Sequence, residues 1–61
     1  MEVKIEIENK NDSTGEKRFR AVVAASEGLS LPVMTTGWSR YEQGLRDHAV
    51  EWAEANDLTV V

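Results

Sequence analysis

Glu2-Val-Lys-Ile-Glu-Ile-Glu8 alternates without a break, and the alternation resumes in Lys17-Arg-Phe-Arg-Ala-Val-Val-Ala-Ala25. In the first run Val3, Ile5 and Ile7 share one face and charges take the other, the period-2 pattern of a half-buried strand. In the second, Phe19, Ala21 and Val23 lie on one side and Arg18 and Arg20 on the other. Between them, Asn9 to Gly15 is a turn by composition, because Asn, Asp and Ser bond to nearby backbone and Gly tolerates left-handed geometry. The two runs predict a β-hairpin, and the rest of the chain must fold onto it.

Glu27-Gly28 predicts the next turn and Leu29 to Thr36 a third strand, with Leu29, Leu31 and Val33 facing inward. Pro32 cannot donate to a ladder, so this strand is expected at a sheet edge or with a bulge. Gly37 ends it. Ser39-Arg-Tyr-Glu42 has the form of a capping box, which predicts a helix with Ser39 as its N-cap. At about 100° per residue, Tyr41, Leu45, His48, Ala49, Trp52 and Ala55 fall on one face. Asp47, Glu51 and Glu54 gather on another flank, Asp57 follows the helix end, and Val50 points to the wet side. Gly44 costs about 1 kcal/mol relative to Ala within a helix and suggests close packing against the sheet. Asn56 is the expected C-terminal stop, and Leu58 to Val61 a short closing strand. The order β-β-β-α-β predicts a single α+β domain over residues 1–61, with one helix on one face of a small, mostly antiparallel sheet.

Composition limits the chemistry. A chain of 61 residues and 6.8 kDa builds one small core of marginal stability. With no cysteine and one histidine, His48, disulfides, thiolate catalysis and Cys- or His-rich metal sites are excluded. Nothing resembles a phosphate loop, a metal-ligand spacing or a nucleophile elbow. His48 lies on the apolar helix face without a positioned partner, a packing position rather than a general base. Asn11-Asp-Ser13 has the form of a glycosylation sequon but reads as a bare turn. The expectation is a non-enzymatic protein with no catalytic residues, cofactor or metal. No apolar run approaches the ~18 residues of a membrane helix, and no signal-peptide core is visible, so the cytoplasm is expected.

The net charge is −4, from eleven acids against seven bases, with a pI near 4.8. That argues against direct nucleic-acid binding, whose footprint is basic. Residues 1–37 carry six acids and five bases, and residues 38–61 five acids and two bases, so the excess sits mainly in the C-terminal third. Asp47 and Glu51 are like charges at i,i+4, which destabilise a helix by a few tenths of a kcal/mol. Two readings stand: a solvated helix face, or a strip presented to a basic partner. Lys17, Arg18 and Arg20 cluster on one hairpin strand, as a solvated, edge-protecting face or a contact. Trp38, just before the helix, either staples the helix entry or joins an interface.

The run Arg18-Phe-Arg-Ala-Val-Val-Ala-Ala-Ser-Glu27 resembles the core strand of the gene 2 product family of T-odd podophages, small inhibitors of host RNA polymerase. Phe19, Ala21, Val23, Ser26 and Glu27 match its Phe-x-Ala-x-Val-x-x-Ser-Glu pattern. The likeness continues through Leu31-Pro32-Val33, the Ser39-capped acidic helix with Glu42 and Trp52, and the last strand, and covers about residues 17–61. It implies a phage-encoded protein that acts in the host cytoplasm, binds the β′ jaw of bacterial RNA polymerase, obstructs the DNA channel and hinders initiation. Glu42, Asp47, Glu51 and Glu54 would carry its acidic contact. The family's last strand continues through arginines that grip the polymerase, where this chain has Val60-Val61. Either the basic contact falls to Arg18 and Arg20, or the target differs. The chain also resembles HicB-type antitoxins in its first strand, Gly-ended turn, aromatic-led second strand, Leu31-Pro32, Gly37, Ser39 and Glu42. That likeness accounts for residues 1–16 and implies a module that dimerises and blocks a small toxic ribonuclease. It departs at Pro32-Val33 and Gln43-Gly44, and no DNA-binding tail follows.

Overall fold

A computed structural model describes residues 1–27 and 32–61. The elements are β1 (Glu2–Asn11), β2 (Lys17–Ala25), β3 (Pro32–Thr35), α1 (Glu42–Ala55) and β4 (Thr59–Val60). They form an α+β fold in which α1 packs on one face of a four-stranded mixed sheet of order β3-β2-β1-β4. β2 runs antiparallel to both β1 and β3, and β4 runs parallel to β1. β3 and β4 therefore point the same way on opposite edges, and α1 is the crossover that carries the chain over β2 and β1.

The hairpin is the frame. Its ladder runs from Val3↔Ala25 to Asn11↔Lys17, three residues beyond the alternating run ending at Glu8. The turn is correspondingly shorter than predicted and is organised by Asp12. Asp12 Oδ1 accepts from the Thr14 N–H (2.8 Å), the Thr14 hydroxyl (2.6 Å) and the Glu16 N–H (3.0 Å). Gly15 takes φ of 85°, a conformation that a Cβ disfavours.

Odd residues of β1 face the helix. Val3, Ala21, Val23, Ala49 and Ala53 are fully buried, with Ile5, Ile7, Met34, Leu45, Trp52 and Leu58 packed around them. Three of those five buried residues are alanines, so helix and sheet approach closely over very little side-chain volume. This requirement rotates α1 from its expected orientation. The smallest side chains, Ala49 and Ala53, lie along the line of contact, while Tyr41 (72% exposed), His48 and Ala55 are exposed. Val50, expected on the wet side, is half-buried, and Gly44 is exposed rather than packed on the sheet.

The helix also starts later than the capping box predicts. Ser39 N–H donates to the Phe19 carbonyl (2.8 Å) and its carbonyl accepts from the Phe19 N–H (2.7 Å). With its backbone bonded to β2, Ser39 cannot open a helix. Its Oγ accepts from the Tyr41 N–H (3.1 Å), and Tyr41 is the N-cap, without a side-chain cap bond.

β3 is an edge strand whose register against β2 shifts: Met34 pairs with Val23 and Pro32 with Ala24. Val33 is the extra residue and is exposed, so Met34 takes the inward position expected of Val33. Gly28, Leu29 and Leu31, assigned to the preceding turn and to this strand, lie outside the described residues. At the other end α1 stops as expected at Asn56. Asp57 adopts φ of 58°, its N–H bonds Glu54 O (3.1 Å), and Leu58 N–H bonds Ala53 O (2.9 Å). This is a Schellman closure with Asp in the place that Gly usually takes.

Candidate interaction surface

Asp47, Glu51 and Glu54 are all exposed. With Ala49 and Ala53 on the sheet, helical geometry at about 100° per residue puts the three carboxylates roughly 150° away, along the outermost ridge of α1. They are not a flank but the crest. Asp47 accepts from Gln43 Nε2 (3.0 Å), and among the described residues none of the three is in an ion pair. Glu51 and Glu54 approach the C-terminal end of the helix, where the macrodipole disfavours negative charge, and the last turn holds no basic residue. Glu42 stands apart from the crest, bonded to Arg46 one turn on (3.4 Å), in the first turn where the dipole favours it.

The hairpin treats its charges differently. Its outer face, away from α1, carries the even residues of both strands. Lys4 pairs with Glu6 (3.1 Å), and Arg20 donates to Glu8 across the ladder. Arg18 lies between Asp12 (2.8 Å) and Glu16 (3.1 Å), and Glu16 also meets Arg40 (3.6 Å). The Thr14 hydroxyl is the main cause that holds the Asp12 carboxyl below its ordinary range, with the Thr14 and Glu16 N–H groups and Arg18 adding to it against partial desolvation. Arg18 and Arg20, expected as a basic contact, are thus already committed within the hairpin. Nor do they protect an edge, because β2 is an interior strand.

Trp38 is 36% exposed and lies on that same outer face, opposite the helix. Lys10 Nζ is 4.3 Å and the Arg20 guanidinium 4.7 Å from its ring centroid. It is therefore a stacking platform for two cations and does not staple the helix. The sequence pointed to Trp38 but not to these partners, which the cross-strand register brings within reach.

Among the described residues, no group of three or more His, Asp or Glu side chains is placed to hold a metal ion. No described helix is long and apolar enough to cross a membrane. A shallow depression bordered by Met1, Glu2, Ala25, Ser26 and Glu27 gathers no constellation for proton transfer or nucleophilic attack. The chain matches no protein-family model, no curated protein and no solved structure.

Proposed function

We propose that this chain acts by binding rather than catalysis, as an inhibitor that docks the acidic crest of α1 on a basic surface of bacterial RNA polymerase during phage infection. The β′ jaw beside the DNA channel is the contact that the resemblance over residues 17–61 implies. The observation that carries the reading is the crest itself: three exposed carboxylates with no ion pair among the described residues, two of them toward the C-terminal end of the helix, where the dipole disfavours them. Such an arrangement disfavours the isolated helix and favours association with a positive surface, where complementary potential speeds encounter and sets orientation. Arg18 and Arg20 contribute little here, because their charge is balanced within the hairpin.

The test is promoter-dependent transcription by purified bacterial polymerase with increasing amounts of the chain. Product should fall, and the chain should co-purify with the enzyme. Changing Asp47, Glu51 and Glu54 together to Lys should slow association by about tenfold or more at low salt and flatten its salt dependence. Absence of both binding and inhibition would end this reading.

One observation favours a second reading. β1 is an interior strand of the sheet, paired along its length with β2. The polymerase-inhibitor resemblance leaves β1 out, whereas the antitoxin resemblance includes it. On that reading the crest meets a small basic ribonuclease. Protection of RNA from such a toxin by stoichiometric amounts of the chain, with no effect on polymerase, is the result that selects it.

A further inference from the structure

α1 covers only part of the sheet. It lies against β2, β1 and β4, and among the described residues it makes no close approach to β3. Four strands about 4.8 Å apart offer the width of two helices, each about 10 Å across, and the described residues supply one. Measured from the contact line of Ala49 and Ala53, helical geometry places Leu45 and Trp52 about 60–80° to one side. Tyr41, His48 and Ala55 fall about 100–140° to the same side. The five together have the 4-3-4-3 spacing of a seam that one helix presents to another. The crossover from β3 to β4 joins parallel strands. In the right-handed sense that such crossovers take, this shoulder turns toward β3, while Val50 turns toward β4. The shelf above β3 is thus on the far side of α1 from the edge where β4 meets β1.

The shelf is apolar and its outer part is open. Met34, the inward residue of β3, is half-buried, as are Leu45 and Trp52. Tyr41 is 72% exposed, more than any other large apolar side chain among the described residues, and His48 and Ala55 are exposed as well.

We infer that this shelf receives one helix of a protein partner, laid beside α1 with its apolar stripe on Tyr41, His48 and Met34 and its basic residues toward the crest. The inference rests on the reading of the crest as the contact surface, and names the element of the partner that meets it. Spacing selects a helix: the seam from Tyr41 to Ala55 runs about 21 Å at helical intervals, which an extended strand with its two-residue period does not match. The crest selects the charge. Glu51 follows His48 and Ala55 around the helix, Asp47 and Glu54 lie beyond it, and none of the three is in an ion pair among the described residues. The α1 of a second copy would bring acid against acid, so the occupant is a different chain. An aromatic centre with charges at the rim is the usual division of a protein–protein contact, and Tyr41 is its anchor here.

The probe is a synthetic helical peptide of about 18 residues, leucine at the 4-3 positions and lysine and alanine elsewhere, beside a control of the same composition with its leucines scattered. In NMR spectra of the full chain, the helical peptide should shift the Met34, Tyr41, Leu45 and His48 amides, and the control only those of Asp47, Glu51 and Glu54. Tyr41→Ala should weaken the helical peptide at least about tenfold and His48→Ala about threefold. Circular dichroism should stay unchanged in Tyr41→Ala, since Tyr41 caps α1 without a side-chain bond. Equal binding of the two peptides, shifts confined to the crest, or indifference to Tyr41→Ala overturns the inference. Capture of polymerase is read separately. A parent chain that binds the helical peptide as expected but captures no polymerase ends the polymerase reading alone. Capture that is lost with the crest variant yet undiminished by Tyr41→Ala keeps that reading and overturns the helix shelf.

Discussion

The hairpin and the helix carry similar densities of charge and differ in what they do with it. On the hairpin, Lys4, Arg18 and Arg20 each meet a carboxylate, and Trp38 takes up Lys10 and Arg20 on its ring. On α1, Arg46 turns to Glu42 in the first turn, and the acids of the crest are left without an ion pair among the described residues. A ladder brings residues from two strands face to face, as Arg20 meets Glu8, while same-strand spacing and the turn supply the pairs of Lys4 and Arg18, even though the register sets Lys10 opposite Arg18. A surface helix offers only its own i,i+3 and i,i+4 neighbours, and here those neighbours are like charges. Most of the hairpin's charges thus have partners, with Lys17 and Glu2 outside any ion pair among the described residues, while the helix keeps conformational and electrostatic costs that its own packing does not require.

The contrast predicts opposite signs: substitutions around the hairpin should lower stability, and suitable ones on the helix should raise it. The largest effect is expected at Thr36, whose Oγ1 accepts from the Ala21 N–H (2.9 Å) just beyond the end of β3. Thr36→Val keeps the shape but leaves a buried N–H without a partner, so urea unfolding should show a loss of about 1–3 kcal/mol. Gly44→Ala should raise stability by about 1 kcal/mol. A Cβ there meets only the Tyr41 Cβ, at 3.8 Å, so a loss would restore the idea that Gly44 is needed for close packing.

Smaller effects separate the two sets of charges. Arg20→Ala removes a cross-strand pair and a stacking contact, and thermal unfolding should report a loss of about 0.5–1 kcal/mol. Glu51→Gln relieves repulsion with Asp47 and Glu54 and should give a gain of a few tenths, roughly 0.2–0.5 kcal/mol. Equal losses from both would erase the distinction between the two surfaces.

The most local prediction concerns acid. The folded-state pKa of Asp12 lies below its ordinary value of 3.8. The ionised group therefore favours the folded hairpin above the unfolded pKa, and this contribution is lost as pH falls through the lower, folded value. In an NMR titration the Asp12 carboxyl should have its midpoint below 3.8, and the Thr14 and Glu16 amide signals should move with it. A midpoint at or above the ordinary value would mean that the turn is not organised by the carboxylate.

Much of this architecture was legible in the sequence because single-residue periodicity records which side of an element is buried. The alternation of Val3, Ile5 and Ile7, and of Phe19, Ala21 and Val23, located β1 and β2. Pro32 announced an edge or a bulge, and β3 has both. The element order held, as did the stop at Asn56. Where the reading failed, a neighbour in space had overruled a local motif. Ser39 has the sequence of an N-cap, but β2 takes its backbone. Val33 fits the inward alternation, but the bulge turns it out and gives its place to Met34. Tyr41 and His48 fit an apolar face, but close approach to the sheet requires alanine at the contact line.

By itself the sequence determined that this is a small α+β chain with an acidic helix, because element type and net charge follow from composition and period. Only the tertiary structure decided which charges remain uncompensated and which side of α1 meets the sheet. The pairing of Arg20 with Glu8 depends on the β1–β2 register, and the direction of the crest depends on how α1 rotates to bring Ala49 and Ala53 onto the sheet. None of these is a property of one segment. Each arises where two segments meet, and the free energy of their contact, set by packing volume and hydrogen-bond register, fixes the outcome.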